Sequence, residues 1–301
     1  MNQITVTIPA TTANLGSGFD CLGLALQLYN ETMFTAVSKK ELIITVSGVD
    51  AEKIPTDSSN LVAKSAEFLF ERLGKRPAGL HIHQQNNIPV GSGLGSSSTA
   101  ILAGLFGANG LSNGRLTPKQ ILDIATELEG HPDNVAPAVY GNLVLGISTE
   151  NGLHVESFKL PEMKVIIVLP DFHLLTSEAR AALPEQIDRA DAIFNMSRIG
   201  LLIRALETAV YDKLAIAMQD KLHQPYRIPL IPGMAAAFVA AKAAGAAAVA
   251  LSGAGPSLVA FAPHNHEAIA QAALNAFAEV EVNGRYWILP IDTKGAVIHQ
   301  A

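Results

Sequence analysis

The sequence predicts a mixed α and β globular protein, one large domain or two intimately joined ones, and three observations carry that expectation. Runs with a period of two mark strands in the first half, Asn60 and Thr117 open two well-signalled helices, and beyond Leu174 the chain turns mostly helical before a strand-strand-helix-strand tail. At 301 residues, 49% of them hydrophobic, the chain has ample material for a core.

The elements follow in order. Ile4, Val6 and Ile8 alternate with Thr5 and Thr7 in a first strand that Pro9 should end. Residues 32–37 and 42–46, rich in β-branched and apolar side chains, predict an antiparallel pair around Lys39-Lys40-Glu41. Asn60 is a good N-cap for a helix whose Val62, Ala66, Leu69 and Leu73 share one face, with Gly74 as its stop. Leu80 and Ile82 then alternate with His81 and His83 in a strand. The two histidines share a face, but no third metal ligand accompanies them, so a solvated strand face is preferred. Residues 100–106 read as a helix opening at the serines before it, and Thr117, Pro118 and Gln120 make a capping-box start for another. Strands are expected at 142–147 and 163–169, then helices around 176–180, from about 186 through 207, on to about 218, and at 234–244. The tail comprises strands 246–251 and 258–261, a helix from about 264 to 277 and a strand at 286–289. A soft domain boundary near residue 160 divides the chain into 1–160 and 161–301, with no flexible linker.

Composition narrows the functional classes. A formal charge of −6 with no basic stripe argues against nucleic acid as a partner. Cys21 is the only cysteine, so no intramolecular disulfide is possible and nothing demands an oxidising compartment. Met1-Asn2-Gln3-Ile4-Thr5 has neither the basic nor the apolar region of a secretory signal. A cytoplasmic location without a membrane partner is expected, since the most membrane-like stretch, 234–251, is mostly alanine broken by Lys242 and Gly245.

The chemistry centres on Pro89-Val90-Gly91-Ser92-Gly93-Leu94-Gly95-Ser96-Ser97-Ser98-Thr99, three alternate glycines and then four hydroxyl residues ahead of a helix. Glycine lets backbone approach a ligand closely, and a helix N-terminus offers free N–H groups and a positive dipole end, so a phosphate cradle is favoured over a plain turn. A Walker A loop would need Lys where Ser96 stands, and a dinucleotide fingerprint would place its last glycine one residue later.

Three other loops are polar in a similar way. Ala10-Thr11-Thr12-Ala13-Asn14-Leu15-Gly16-Ser17-Gly18-Phe19-Asp20-Cys21-Leu22-Gly23 sets Asn14 and Asp20 among three glycines. Glu127-Leu128-Glu129-Gly130-His131-Pro132-Asp133-Asn134-Val135-Ala136-Pro137 crowds acids, a histidine and an amide at a helix end. Acidic residues there oppose the dipole, so something holds Glu129 in place, and Mg²⁺ is one such thing. Leu251-Ser252-Gly253-Ala254-Gly255-Pro256-Ser257, taken alone, is most simply a hairpin turn.

Jointly and in this order, the loops resemble the motifs of the GHMP kinases, the superfamily of galactokinase and mevalonate kinase, across nearly the whole chain. Residues 89–99 are similar to that family's ATP-phosphate loop, 9–23 to its substrate-side motif and 251–257 to its C-terminal glycine motif. Together with 9–20, residues 129–138, Thr176-Ser177-Glu178-Ala179-Arg180 and Gln224-Pro225-Tyr226-Arg227 are most similar to the branch that acts on L-homoserine. The resemblance implies an α+β fold: an N-terminal domain like ribosomal protein S5 domain 2 and a ferredoxin-like C-terminal domain. It also implies a homodimer and transfer of the ATP γ-phosphate to the homoserine hydroxyl, on the way to threonine. By the same resemblance the amides of 93–97 hold the triphosphate, and Ser97 and Glu129 reach Mg²⁺, with Glu127 as a possible substitute for Glu129. Arg180 and Arg227 bind the carboxylate, Asp20 binds the ammonium, and Asn14 and Asn134 orient the hydroxyl, with Asn134, Thr176 and Arg180 at the reacting centre. Where mevalonate kinase and galactokinase place a carboxylate proposed as base, Asn134 stands here. A base-free mechanism is therefore expected, with Asp133 as the rival base. Two other readings remain: the same fold with another alcohol as acceptor, such as mevalonate, a sugar or shikimate, and a nucleotide-binding sensor without turnover.

Overall fold

The computed structural model describes residues 3–150 and 152–300; Met1 and Asn2, part of the stretch read above for a secretory signal, lie outside them. The architecture is α+β, two sheets packed through a shared core that also takes in two helices of the second half, with other helices on the outer faces.

Gln3–Ala13 (β1) and Leu22–Val37 (β2) form the long central pair of the first sheet, followed by Leu42–Gly48 (β3). Leu61–Leu73 (α1) starts at Asn60, whose side chain accepts from the N–H groups of Val62 and Ala63, and stops at Gly74. Gly79–Asn86 (β4) leads into the glycine loop and Ser96–Leu111 (α2) leaves it; Pro118–Glu129 (α3) opens with the expected capping box of Thr117 and Gln120. Val135–Tyr140 (α4), Leu143–Thr149 (β5) and Gly152–Phe158 (β6) follow. Lys164–Pro170 (β7) opens the second sheet, and then come Thr176–Ala181 (α5), Arg189–Glu207 (α6), Tyr211–Ala217 (α7), Gln224–Arg227 (α8) and Met234–Ala243 (α9). Ala248–Leu251 (β8), Leu258–Phe261 (β9), His266–Ala278 (α10), Gly284–Pro290 (β10) and Val297–Gln300 (β11) complete the chain.

The first sheet runs β11-β1-β2-β4-β3, with β5 on β2 and β6 on β5; the second runs β10-β7-β9-β8 and is antiparallel throughout. Successive residues of β7 face opposite ways, as a period of two requires. Val165 and Ile167 join Leu22, Leu24 and Leu26 of β2 and Leu202, Leu206 and Leu214 of α6 and α7 in the shared core. Ile166 and Val168 pack instead with Ala237, Ala241, Ile269 and Phe277 of α9 and α10. A further core lies between the first sheet and α1, α2 and α3. The shared core joins the halves without a linker. The chain changes sheet between Phe158 and Lys164, and we propose to divide it there, at residue 160, with β11 as the exception because it returns to pair with β1.

Three strand expectations need correction. β1 does not end at Pro9 but runs to Ala13, its register against β2 slipping between Pro9 and Ala10, which accommodates a residue with no N–H to give. β2 begins at Leu22 because its first stretch is buried on both faces and so shows no alternation. Nor do β2 and β3 pair directly: β4 lies between them, antiparallel to β2 and parallel to β3. The connection crosses the end of β4, where the Leu80 N–H donates to the Glu41 carbonyl at 2.8 Å. Two strand spacings are about 10 Å, within reach of four extended residues.

His81 Nε2 lies 3.0 Å from a Glu41 carboxylate oxygen and His83 Nδ1 2.8 Å from Thr45 Oγ1. Among the described residues no helix is long and apolar enough to cross a membrane; the alanine-rich stretch supplies α9 and β8.

Candidate active site

Gly91, Gly93 and Gly95 have φ of 66°, 78° and 73°, the left-handed region that glycine enters without steric cost. Gly93 and Gly95 are also contact points. A Cβ on Gly93 would run into the carbonyl oxygens of Ser252 and Gly255, and one on Gly95 into Thr11 Oγ1 and Asn134 Oδ1. The alternate glycines are therefore where the three other polar loops press against the phosphate loop. The Thr11 N–H donates to the Leu94 carbonyl and the Gly253 N–H to the Ala13 carbonyl, each at 3.1 Å, while Ser252 Oγ donates to the Gly93 carbonyl at 2.7 Å. Gly95 caps α2, so the free N–H groups of its first turn face this junction.

Glu129, the last residue of α3, reaches across to that same turn. Its two carboxylate oxygens accept from Ser97 Oγ at 3.0 Å and Ser98 Oγ at 3.1 Å. The dipole of its own helix opposes the charge, and the N-terminal end of α2 favours it. Glu127 instead faces Arg72 at 3.6 Å on the exposed side. Ser97 and Glu129 are hard oxygen donors, a set that suits Mg²⁺, which takes one or two carboxylates and leaves its other positions to phosphate and water. Among the described residues there is no cluster of three or more His, Cys, Asp or Glu that would hold a metal unaided.

Two cavities meet at this loop. One, of about 120 Å³, is lined by Asn14, Asp20, Glu129, Asp133, Asn134, Thr176, Arg180 and Arg227 together with the loop glycines. The other, of about 230 Å³, lies beyond the loop against β2, β4 and the start of α1. Both include Gly91, Ser96 and Ser97 in their walls. The loop is thus the partition between a small charged chamber and a larger, more apolar one.

The charged chamber draws its side chains from distant segments. Arg180, on α5, clamps Asp20 through two hydrogen bonds of 2.9 and 3.1 Å, and this pairing raises the guanidinium pKa. Arg227, on α8, is 1% exposed: its Nε donates to the Ala179 carbonyl at 3.1 Å and its guanidinium carbon lies 5.1 Å from the centre of the Phe19 ring. Among the described residues it has no carboxylate partner within ion-pair distance. Burial depresses the Arg227 pKa, so the charged form is held at a cost. Asn134 Oδ1 accepts from Thr11 Oγ1 at 2.9 Å, which leaves its Nδ2 as the group offered to the chamber. Asn14 is tied more tightly, its Nδ2 donating to the Gly253 carbonyl at 2.7 Å and its Oδ1 accepting from the Asp20 N–H at 2.9 Å. Asn14 thus fixes the position of Asp20. Thr176 stands exposed at the start of α5.

Sequence reasoning passed over two histidines: His131 lines the chamber, and His223 lies just behind its wall. His131 Nδ1 lies 2.8 Å from Asp133, and that hydrogen bond raises the imidazole pKa. His223 is fully buried behind Arg227, and its signal was its position four residues ahead of Arg227, one helical turn away. Cys21 is half-buried, with a thiol pushed up to about 11 by burial and by the charges of Asp133 and Asp20, which keeps it in the protonated form at neutral pH.

Comparisons with known proteins bear on the family and the fold. Residues 60–142 match the family model described as the GHMP kinases N terminal domain, and residues 202–280 match that of the GHMP kinases C terminal. The chain is 44% identical to a homoserine kinase of Trichormus variabilis, covering 98% of this chain and 99% of that protein. It is 43% identical to one of Moorella thermoacetica, covering 97% and 99%. Among solved structures, a homoserine kinase from Cytophaga hutchinsonii superposes with a TM-score of 0.88 at 31% identity, covering 99% and 98% of the two chains. A mevalonate kinase from L. major shares the fold, with a TM-score of 0.75 at 14% identity over 95% of each chain.

Proposed function

The chain belongs to the GHMP kinases and, within them, to the homoserine kinases, and on that premise we propose that it transfers the γ-phosphoryl group of ATP to the side-chain hydroxyl of L-homoserine, forming O-phospho-L-homoserine. The observation that supports the amino-acid acceptor best is Arg227, a buried cation on the wall of the chamber with no carboxylate within ion-pair distance among the described residues. A free amino acid brings that carboxylate. A sugar or mevalonate would leave either Arg227 or the Asp20–Arg180 pair without a complementary group.

The roles follow from position. Arg227 and Arg180 take the carboxylate and Asp20 the ammonium. Because Asp20 and Arg180 already pair, a zwitterion seated against them adds one charge of each sign, and neither side chain loses its counter-charge. The nucleoside occupies the larger cavity, and the amides around Gly93 to Ser97 with the N-terminal end of α2 hold the phosphates across the partition. Ser97 and Glu129 would hold Mg²⁺, which when bound supplies positive charge at the phosphate oxygens. Asn134, aided by Thr176 and Arg180, orients the reacting hydroxyl. An amide nitrogen takes no proton, and Asp133 is engaged by His131, so the hydroxyl proton passes to the phosphoryl group or to water. We also infer a cytoplasmic homodimer, whose state light scattering would read.

The test is ADP release from ATP·Mg²⁺ with L-homoserine, mevalonate, galactose, shikimate and L-serine compared. Turnover with homoserine alone supports the acceptor; turnover only with another alcohol refutes it, and ATP binding without turnover favours a sensor.

A further inference from the structure

Among the described residues His223 is the one fully buried histidine, it lies beside the charged chamber, and the reaction described above does not use it. Its ring stacks on Phe19 with centroids 4.9 Å apart and an interplanar angle of 16°. The same Phe19 ring lies under the Arg227 guanidinium. His223 Nε2 is 3.1 Å from the Gly16 carbonyl, and Nδ1 is 3.4 Å from Arg227 Nη1. A carbonyl accepts only, so Nε2 carries the proton, and Nδ1 is then the lone pair that accepts from Arg227. The geometry assigns one tautomer.

The surroundings hold that arrangement. Asp220 Oδ2 accepts from the N–H groups of His223 and Gln224 at 3.0 and 2.7 Å and lies 3.6 Å from His223 Nε2, while its Oδ1 accepts from Asn195 Nδ2 at 2.7 Å. The other charged groups facing this pocket are Asp20 and Arg227 itself. Burial lowers the imidazole pKa to about 4, in keeping with a neutral ring at ordinary pH.

We propose that His223 is a positioning residue for substrate recognition: it aims the Arg227 guanidinium at the acceptor's carboxylate by accepting from Nη1 while Phe19 supports both groups. Arg227 has donors directed at His223 and at the Ala179 carbonyl, with the Gly253 carbonyl a further acceptor 3.5 Å from Nη1, and its remaining face toward the chamber, so its planar fork is held in one orientation before substrate arrives. The inference rests on the amino-acid reading of the chamber. It gives His223 a role in carboxylate affinity alone, separate from phosphoryl transfer.

Three variants separate that role from a structural one. In His223→Asn the amide oxygen falls near the place of Nδ1 and keeps an acceptor for Arg227. His223→Gln keeps a donor near Nε2 and loses the acceptor, and His223→Phe keeps only the stacking. Steady-state kinetics are measured with L-homoserine and with 3-aminopropan-1-ol, the same alcohol and amine without the carboxylate. The expected result is a KM for homoserine raised about tenfold in the Gln and Phe variants and less in Asn, the size of effect that loss of a hydrogen bond to a charged group produces. kcat and the KM for ATP should stay within about twofold, and kcat/KM for the aminoalcohol should scarcely change. Equal losses with both acceptors, or an order that follows thermal stability rather than the retained acceptor, would overturn the proposal. If the unmodified enzyme showed no preference for homoserine over the aminoalcohol, the amino-acid reading itself would fail and this inference with it.

Discussion

At the phosphate end of the cleft, the groups offered to a ligand are backbone amides and short hydroxyls from one continuous stretch, residues 91–98, with a single side chain, Glu129, arriving from elsewhere. At the amino-acid end they are charged side chains, Asp20, Arg180 and Arg227, brought together from segments far apart, the first two paired and half-buried and the third buried. The first end works by backbone shape and tolerates exposure, since Ser96 is half-buried and Ser97 is exposed. The second depends on desolvation, which makes an unpaired arginine seek an anion. On the proposed reading, the cleft separates general affinity for phosphate from selection of one acceptor.

That division can be broken most forcefully at Arg227. Arg227→Met is expected to raise the KM for homoserine about a hundredfold or more with the KM for ATP within about twofold, as coupled ADP assays would show. Equal damage to both substrates would erase the distinction between the ends. Glu129→Gln should do the reverse, lowering kcat about a hundredfold and weakening the response to Mg²⁺ while homoserine binding by calorimetry stays as it was. Asp133→Asn sharpens the mechanism. With no protein base, kcat should fall less than about tenfold, whereas loss of a true general base costs about 10²–10⁴-fold; abolished turnover with intact fold and substrate affinities would make Asp133 the base.

The phosphate end was legible because its signal is local. Alternate glycines followed by hydroxyls at a helix start specify a backbone conformation, and neighbours in sequence are neighbours in space. The acid Glu129 was legible too, since a carboxylate at the wrong end of its helix called for an external reason. Resemblance pointed to Asp20, Arg180 and Arg227 singly, but nothing in their spacing said that two of them pair and that the third is buried. Asn14 shows the same limit: its amide is spent on the Gly253 carbonyl and the Asp20 N–H, partners that only the packed loops define. The misread pairing of β2 with β3 has this origin as well, because local pattern marks a strand and distant residues choose its neighbour.

Smaller effects sharpen the contrast further. Gly95→Ala should destabilise the fold by at least about 1–2 kcal/mol, the penalty for an L side chain at positive φ, with more from the encounter with Thr11 Oγ1; urea midpoints read it. The amino-acid end has a signature in pH instead. The His223 pKa is depressed in the folded chain, so its contribution to stability is present above the unfolded value of about 6.5 and is lost as pH falls toward the folded value of about 4. Between pH 7 and 4.5, therefore, His223→Phe should lose less stability than the unmodified chain, a difference visible in paired denaturation curves.

The return of β11 to β1 gives the fold a timetable. As the chain leaves the ribosome, β1 through β6 can assemble, but the outer edge of β1 keeps its row of backbone donors and acceptors unpaired until residues 297–300 arrive. The second half must be translated before the first sheet is finished, and the nascent enzyme carries an open strand edge for most of its synthesis.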